Sequence, residues 1–461
     1  MPTARGISLS NRDPAVPRVR VVVVNHNGGS LTLSCLRSLL ASDWPAGALD
    51  VVMVDNGSTD GVAGAVGAEL PGVRVIDAGG NLGFAGGCNL ALADLEGADY
   101  VALVNNDAEV DPGWLAPLVD ALQADPAIGA ANPKILFADR FVDVHLTSAT
   151  RSRGMGDRRR LGVRLSGATI DGQDGWARLQ MVSGFWGLEH GADGEGTFEW
   201  TNGAAHLRVP VGPGDALPAC ELRLAADGER DVVLRSGERR TEQRIGPEPQ
   251  WFPVALGGEP FDVLNNVGSV LLSDGHGADR GYLQRDRGQF DQGDEVFAWC
   301  GAAVLLSRRY LEAVGLFDER FFLYYEDFDL SWRGRAQGWR YAYVPGSVVR
   351  HVHSASSVEG SRLFQHYDER NRLLTLTRNA PTSLVLREAG RHLLITGSYA
   401  RRDILAPLAH RRPPSVETVR RRLQAYGAYV RLLPEALAGR RALAARGRVG
   451  EAELAGWMAP R

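Results

Sequence analysis

Apolar and polar positions change their rhythm three times along this chain. Residues 18–24, RVRVVVV, are a continuous β-branched run of the kind that fills a strand buried on both faces. LTLSCLRSLLAS, after the turn NHNGGS, repeats its apolar positions at helical spacing. The alternation continues with DVVMV (50–54) ending in DNGSTDG, VRVI (73–76), the glycine-rich NLGFAGGCN opening a helix near 85–96, and YVALV (100–104) running into NNDAEVDPGWL. Strands separated by helices predict an α/β fold with a mostly parallel sheet and right-handed crossovers. From about 140 to 258 the pattern shortens to near-alternating segments such as LGVRLSGATI, TFEWTN and CELRLAA, divided by Gly, Asp and Pro turns. That grammar predicts an inserted all-β, sandwich-like domain, with Trp176, Phe185, Trp186 and Trp200 suited to its core more than to a glycan-stacking face. Strand and helix signals return with FDVLNNVGSVLL (261–272), VFAWCGAAVLL (296–306), EDFDLSWRGRAQGW and YAYVP. Past Ser361 the chain reads as helix punctuated by Pro381, Pro407, Pro413, Pro414 and Pro434.

Length and composition narrow the class. At roughly 150 residues per domain, 461 residues allow two or three domains, and 44% hydrophobic with 23% charged residues argues against disorder or a fibrous repeat. Cys35, Cys88, Cys220 and Cys300 lie far apart without a CxxC pair, against a disulfide framework or a thiolate zinc site. With no apolar run near the ~18 residues of a membrane span and no apolar segment at the start, the expectation is a chain in the reducing cytoplasm. Net charge is -4, but residues 361–461 hold 19 Arg against 8 Asp plus Glu. Lys134 is the only lysine, so part of that surplus reflects a general preference for Arg. The acidic balance of the first 360 residues and the lack of a base-reading motif argue against nucleic acid as a partner.

Candidate chemistry gathers at the carboxyl ends of the predicted strands, where ligands bind in doubly wound sheets. Asn25, His26 and Asn27 follow the first strand, Asp55, Asn56 and Ser58 the second, Asn81 and Gly83 the third, and Asn105, Asn106 and Asp107 the fourth. Any one cluster could simply be turn chemistry; four in corresponding positions predict one site. YYEDFDLSWR opens a helix with Glu326, Asp327 and Asp329, where carboxylates also suit the positive end of the helix dipole.

Taken in order, VVVVNHNG, VVMVDNGSTDG, NLGFAGGCN, VALVNNDAEVDPGWL, CGAAVLLSRRYLEAVGLFDERFF, YYEDFDLSWR and VVRHVHSASS resemble a family 2 glycosyltransferase of the GT-A fold, in its rhamnosyltransferase-like branch. The resemblance covers about 18–137 and 260–380. It divides the chain into a tail (1–17), a nucleotide-binding half (18–139), the β insertion (140–258), an acceptor and catalytic half (259–360) and an Arg-rich helical region (361–461). It implies that Asp55 pairs with N3-H of a pyrimidine base, with Asn25, Asn27, Ser58, Asn81, Gly83, Asn105 and Asn106 around the nucleotide-sugar. It implies Mg2+ or Mn2+ on Asp107, with His351 as a further ligand and His353 as the neighbouring candidate on the acceptor side. Asn105 stands where the family's D-x-D motif has its first Asp, which removes one charge. Asp327 becomes the general base, Glu326 an acceptor-positioning neighbour and Asp329 a cap or a partner of Arg333. Trp299, Cys300 and Gly301 fall on the acceptor side, where Trp299 either stacks on sugar or packs in the core.

One base without a carboxylate nucleophile implies direct displacement with inversion. The implied donor is dTDP-L-rhamnose, with UDP-galactofuranose or another UDP-hexose as the runner-up, and the acceptor a cell-envelope glycan or a polyprenyl-linked saccharide. An inactive carbohydrate-binding protein is the reading from a different class, opposed by the retained acids. NLGFAGGCN is not a GxGxxG fingerprint, so no dinucleotide cofactor is expected. ETVRRRLQAYGAYVRLLPEALAGRRALAARGR spaces Val419, Leu423, Tyr426, Tyr429 and Val430 helically among arginines. Two readings stay open: docking on an anionic membrane surface, peripheral at the inner face of the plasma membrane, or packing on the catalytic domain or a second subunit. The oligomeric state is not legible.

Overall fold

The computed structural model describes residues 16–154, 157–190, 196–212, 216–352 and 361–460. They form two compact units, one of residues 1–135, 266–280 and 290–461, the other of 136–265 and 281–289.

The first unit is built on a mixed sheet. Strands β1 (Val19–Asn25), β2 (Leu49–Asp55), β3 (Val73–Asp77) and β4 (Tyr100–Val104) alternate with helices α1 (Gly29–Leu40), α2 (Val62–Glu69) and α3 (Gly83–Leu92). Next come β5 (Ala108–Val110), α4 (Leu115–Ala124) and β6 (Ile128–Phe137), and later β7 (Asp294–Glu295), β8 (Ala303–Ser307), α5 (Arg308–Val314), α6 (Glu326–Ala336) and β9 (Arg340–His351). The order across the sheet is β7-β9-β6-β8-β4-β1-β2-β3, with β5 paired to β9. The pairs β4-β1, β1-β2 and β2-β3 are parallel and β8 runs antiparallel to β4. The β-branched runs of β1 and β2 are buried because the central strands are covered on both faces, with Leu36 and Leu39 of α1 and Val66 of α2 in the same core.

Register brings the functional ends together. Asn25 pairs with Asp55 and Asp55 with Asp77, so three strand ends stand abreast. His351 at the end of β9 pairs with Ala108, the residue after Asp107.

Helices α7 (Arg362–Asn379), α8 (Thr382–Ala400), α9 (Glu417–Arg431), α10 (Leu433–Arg446) and α11 (Glu451–Ala455) complete this unit, and α8 continues through a π-turn at Arg401–Leu405 into Ala406–Ala409. They are integral to it: Arg378 of α7 pairs with Asp329 of α6 at 2.7 Å, and Leu454 joins Phe297, Phe328 and Trp332 in one core. The Arg-rich segment is thereby divided. Tyr429 of α9 packs with Leu373 and Leu374 of α7 and with Phe321, and Arg422 pairs with Glu369 of α7, whereas Leu423 and Val430 remain exposed. Packing on the catalytic unit therefore accounts for one face of α9.

In the second unit the expected antiparallel strands form one continuous sheet, from Arg239–Ile245 at one edge, through Arg140–Ser148 and Thr197–Val211, to Gln250–Val254 at the other. Ile245 of the first edge and Phe252 and Val254 of the last belong to a single apolar cluster. Trp200 is buried, Trp176 and Phe185 pack against the core, and Trp186 is exposed with its indole N–H donated to Arg160 O.

Candidate active site

Three strand ends of the first unit are laced together by amides. Asn25, fully buried, donates Nδ2 to Ser58 Oγ (3.0 Å), while its Oδ1 accepts from Thr32 Oγ1 (2.7 Å), Asn106 Nδ2 (3.1 Å) and the Gly28 N–H (3.2 Å). A Cβ at Gly28 would sit 2.1 Å from Asn106 Nδ2 and 2.3 Å from Thr32 Oγ1, so only glycine fits over this hub. His26 donates its Nδ1–H to Asn56 O (3.0 Å), and its Nε2 accepts from Asn81 Nδ2 at 3.3 Å. Asn56 reaches Asn81 Oδ1 and Gly83 O, tying β2 to the glycine-rich loop. Half-buried Asp55 turns Oδ1 to the Ser58 N–H (3.2 Å), and its Oδ2 has no hydrogen bond among the described residues. Asn27, exposed at φ +56°, accepts the Thr59 N–H at 2.7 Å.

Beside this frame lies a carboxylate–imidazole pair. Asp107 Oδ1 and His351 Nε2 are 3.1 Å apart, both nearly buried, and Asn105 Nδ2 lies 3.4 Å from the same ring nitrogen. No group of three or more His, Cys, Asp and Glu side chains among the described residues is arranged to hold a metal ion. A carboxylate oxygen and an imidazole nitrogen fit Mn2+ or Mg2+, cations that commonly leave several positions to water and substrate phosphate.

The carboxylates of α6 are joined to this region through β8. Asp327 Oδ2 accepts the Gly301 N–H at 2.8 Å and Oδ1 the Phe328 N–H at 2.6 Å, and next to Gly301 the Ala302 carbonyl accepts the Asn105 N–H at 2.9 Å. Burial raises the Asp327 pKa, and the backbone N–H groups of Gly301, Phe328 and Asp327 itself oppose that without cancelling it. Glu326 is more extreme. It is buried, its Oε2 has no hydrogen-bond partner among the described residues, and burial together with the Asp327 charge pushes its pKa well above the carboxylate range. Both neighbouring carboxyl groups are thus pushed upward, Glu326 further because the charge of Asp327 adds to its burial.

The loop before α6 is strained. Phe322, Tyr324 and Tyr325 adopt φ of +65°, +68° and +68°, a left-handed region that non-glycine residues seldom occupy. Asn371 of α7, fully buried, holds it by donating Nδ2 to the carbonyls of Phe321 (2.9 Å), Leu323 (2.9 Å) and Tyr324 (2.8 Å), with Arg370 adding bonds to Arg320 O and Phe321 O. On its other side a Cβ at Gly83 (φ +73°) would lie 2.3 Å from Phe322 O. The nucleotide-side glycine loop and the carboxylate-bearing loop therefore touch.

Comparison with known proteins gives the family. The model of the family described as "Glycosyl transferase family 2" matches residues 20–181, and that described as "Glycosyltransferase like family 2" matches 265–372, together more than half of the chain. The chain belongs to the family 2 glycosyltransferases. An N-acetylglucosaminyl-diphospho-decaprenol L-rhamnosyltransferase of Mycobacterium tuberculosis is 36% identical over 126 residues, 25% of this chain and 40% of that protein, so the match spans well under half of the relative. Among solved structures, GalNAc-T7 with UDP, GalNAc and Mn2+ is similar at TM-score 0.42 and 15% identity, covering 79% of this chain and 48% of that one. The mannosyltransferase PcManGT of Pyrobaculum calidifontis, with GDP-Man and Mn2+, has a TM-score of 0.37 and 16% identity, covering 96% and 79%. The mixed sheet, the added β sheet and the terminal helices fit a GT-A-type architecture.

Within this family 2 glycosyltransferase the residues singled out from sequence fall into three groups. Asp55, Asn81, Gly83, Asn105, Asp107, His351, Gly301, Glu326 and Asp327 belong to one connected network of contacts. Asn25, Ser58 and Asn106 belong to it in a different role from the one expected, because their side chains are spent on one another; they build the frame, and Asn25 and Asn106 are buried. Trp299 is corrected: wholly buried with Phe317 edge-on at 6.2 Å, its ring has no face for a sugar. Cys300 hydrogen-bonds through its N–H to Asn132 Oδ1, and burial pushes its thiol up, away from nucleophilic use. His353 lies outside the described residues. Asp329 bonds Arg333 at 2.9 Å as well as Arg378. Asn371 and Thr32 went unnoticed in the sequence, where Asn371 is one of five consecutive polar residues, Asp368 to Arg372, and nothing sets it apart.

Proposed function

We propose that this chain is an inverting, divalent-metal-dependent glycosyltransferase that moves a hexosyl group, best L-rhamnose from dTDP-rhamnose, onto a hydroxyl of a cell-envelope glycan or polyprenyl-linked saccharide. The observation that carries the reading is the bonded path from Asp327 through Gly301 and Ala302 to Asn105, His351 and Asp107, which joins the carboxylate at the start of α6 to the carboxylate–imidazole pair. The matched relative is named as a rhamnosyltransferase acting on a diphospho-decaprenol, which supports the donor and the acceptor class.

Asp55 Oδ2 accepts N3-H of the pyrimidine base. Asp107 and His351 would hold the cation, which when bound would neutralise charge on the departing diphosphate. Asp327 takes the proton of the acceptor hydroxyl as its oxygen attacks the anomeric carbon from the side opposite the leaving nucleoside diphosphate, and the configuration inverts. Glu326, protonated, donates to the acceptor without competing for that proton. The raised pKa of Asp327 brings the base nearer working pH, where general-base catalysis is most effective. Among the described residues no helix is long and apolar enough to cross a membrane.

Incubation with a panel of dTDP-, UDP- and GDP-sugars, with and without Mn2+ or Mg2+, tests the reading by the nucleoside diphosphate released. Release from pyrimidine sugars only with metal is expected. Release confined to purine sugars would refute the role of Asp55.

A further inference from the structure

The C-terminal helices cover the catalytic unit with one side and expose an apolar stripe on the other. Leu386, Leu393 and Leu394 of α8 and Leu405 and Leu408 of its continuation are all exposed, Leu394 at 77%, Leu386 at 69% and Leu405 at 61%. With about 3.6 residues per turn, these five positions fall on one side of the helix. A shallow apolar groove of about 420 Å³, lined by Ile404, Val416, Val419 and Leu423, runs beside it. Water-exposed apolar surface of this extent in a folded protein marks a contact surface.

The charges around the stripe say what contacts it. Between Thr382 and Gln424 stand nine arginines (387, 391, 401, 402, 411, 412 and 420–422) against three carboxylates, Glu388, Asp403 and Glu417. Glu388 is buried, bonded to Arg372 and Arg387, and Asp403 pairs with Arg402. Arg401, Arg411 and Arg412 are exposed. A second copy of this chain would set the same positive surplus against itself, whereas a sheet of lipid phosphates is its complement.

We infer that the stripe from Leu386 to Leu408, with its arginine rim, is the face by which this chain docks on an anionic bilayer. The leucines enter the headgroup boundary and the guanidinium groups bind lipid phosphates, two signals together, as stable peripheral attachment requires. This centres the anchor on α8 and its continuation, with the edge of α9 at Val419 and Leu423 beside it, while the aromatic face of α9 packs inward. The inference stands apart from the transferase reading, since binding to lipid needs neither donor nor acceptor.

The test is co-sedimentation of the full chain with vesicles of phosphatidylcholine containing about one-third phosphatidylglycerol, against vesicles of phosphatidylcholine alone. Two variants accompany it: L386S/L394S/L405S/L408S and R401E/R402E/R411E/R412E. All eight side chains are exposed, so unchanged melting temperatures are expected and serve as the folding control. Wild type should pellet with the anionic vesicles, less so as salt is raised, and each variant should lose at least about tenfold in partition. Absence of wild-type binding, or equal binding by wild type and variants, would overturn the inference. So would a wild-type dimer in sedimentation velocity that the serine variant dissolves, because the face would then be a self-contact.

Discussion

Replacing Asn371 by alanine should uncouple the active-site loop from the fold. The side chain's two amide protons are shared by three carbonyls, those of Phe321, Leu323 and Tyr324. Phe321 O keeps its bond from Arg370, so two buried carbonyls lose this donor at about 1–2 kcal/mol each. Against that, three left-handed residues store of order 1 kcal/mol or more apiece, released if the loop relaxes. The two quantities are comparable. Relaxation of 322–325 should therefore precede unfolding and displace Glu326 and Asp327, which begin the helix right after it. A shift of about 1 Å in a catalytic group costs up to ~100-fold in rate, so kcat should fall by about 30- to 100-fold. Donor affinity should stay near wild type, because Asp55 and the strand-end frame are untouched. The assay is steady-state release of nucleoside diphosphate, with donor binding by calorimetry and a thermal melt on the same sample. A kcat within twofold of wild type, or a loss no greater than the unfolded fraction, would refute the reasoning.

Four further outcomes follow from the site. With the Asp327 pKa raised and its carboxylate needed as base, kcat should fall as pH drops through a midpoint above the ordinary carboxylate value of about 4. Glu326, whose folded pKa is raised, contributes stability that is full below its unfolded pKa and lost as pH rises through the folded one. E326Q should thus gain in melting temperature over wild type as pH goes from 5 to 8, and a constant difference would speak against a neutral buried acid. G83A places a methyl 2.3 Å from Phe322 O at φ +73° and should cost roughly 2–4 kcal/mol in denaturant unfolding; a change below about 0.5 kcal/mol would show that the two loops are not in contact. H351A should weaken the apparent affinity for Mn2+ by about tenfold or more, read as the metal concentration at half-maximal activity, and an unchanged value would remove His351 from the cation pair.

Much of this was legible in sequence because it is local. β-branched runs followed by Asn, Asp and Gly turns specify strands and their ends without distant information, and β1 to β4 sit where those runs are. Less legible was what an amide at a strand end is for. Asn25 and Asn81 look alike in sequence, yet register places Asn25 against Thr32, Ser58 and Asn106, where its capacity is used up, and leaves Asn81 exposed. The same holds for Trp299, whose ring could face sugar or core until Phe317 is seen against it. In the Arg-rich helices the periodicity of α9 was visible, but which apolar face is covered depended on α7, which takes Tyr429 and leaves the leucines of α8 outside. Asn371 was invisible for a related reason: its partners lie in a loop before α6, and only the fold brings them together.

The central claim is that Asp327 is the base and the strand-end cluster the donor site. Its most direct test measures, on wild type and D327N side by side, calorimetric binding of the active pyrimidine nucleotide-sugar with Mn2+ and the rate of glycosyl transfer. Mutation of a general base removes a factor of ~100 to 10,000. The account predicts a rate loss in that range for D327N with donor affinity within about threefold of wild type. Transfer by D327N at the wild-type rate, or loss of donor binding and rate together in a folded protein, would contradict it.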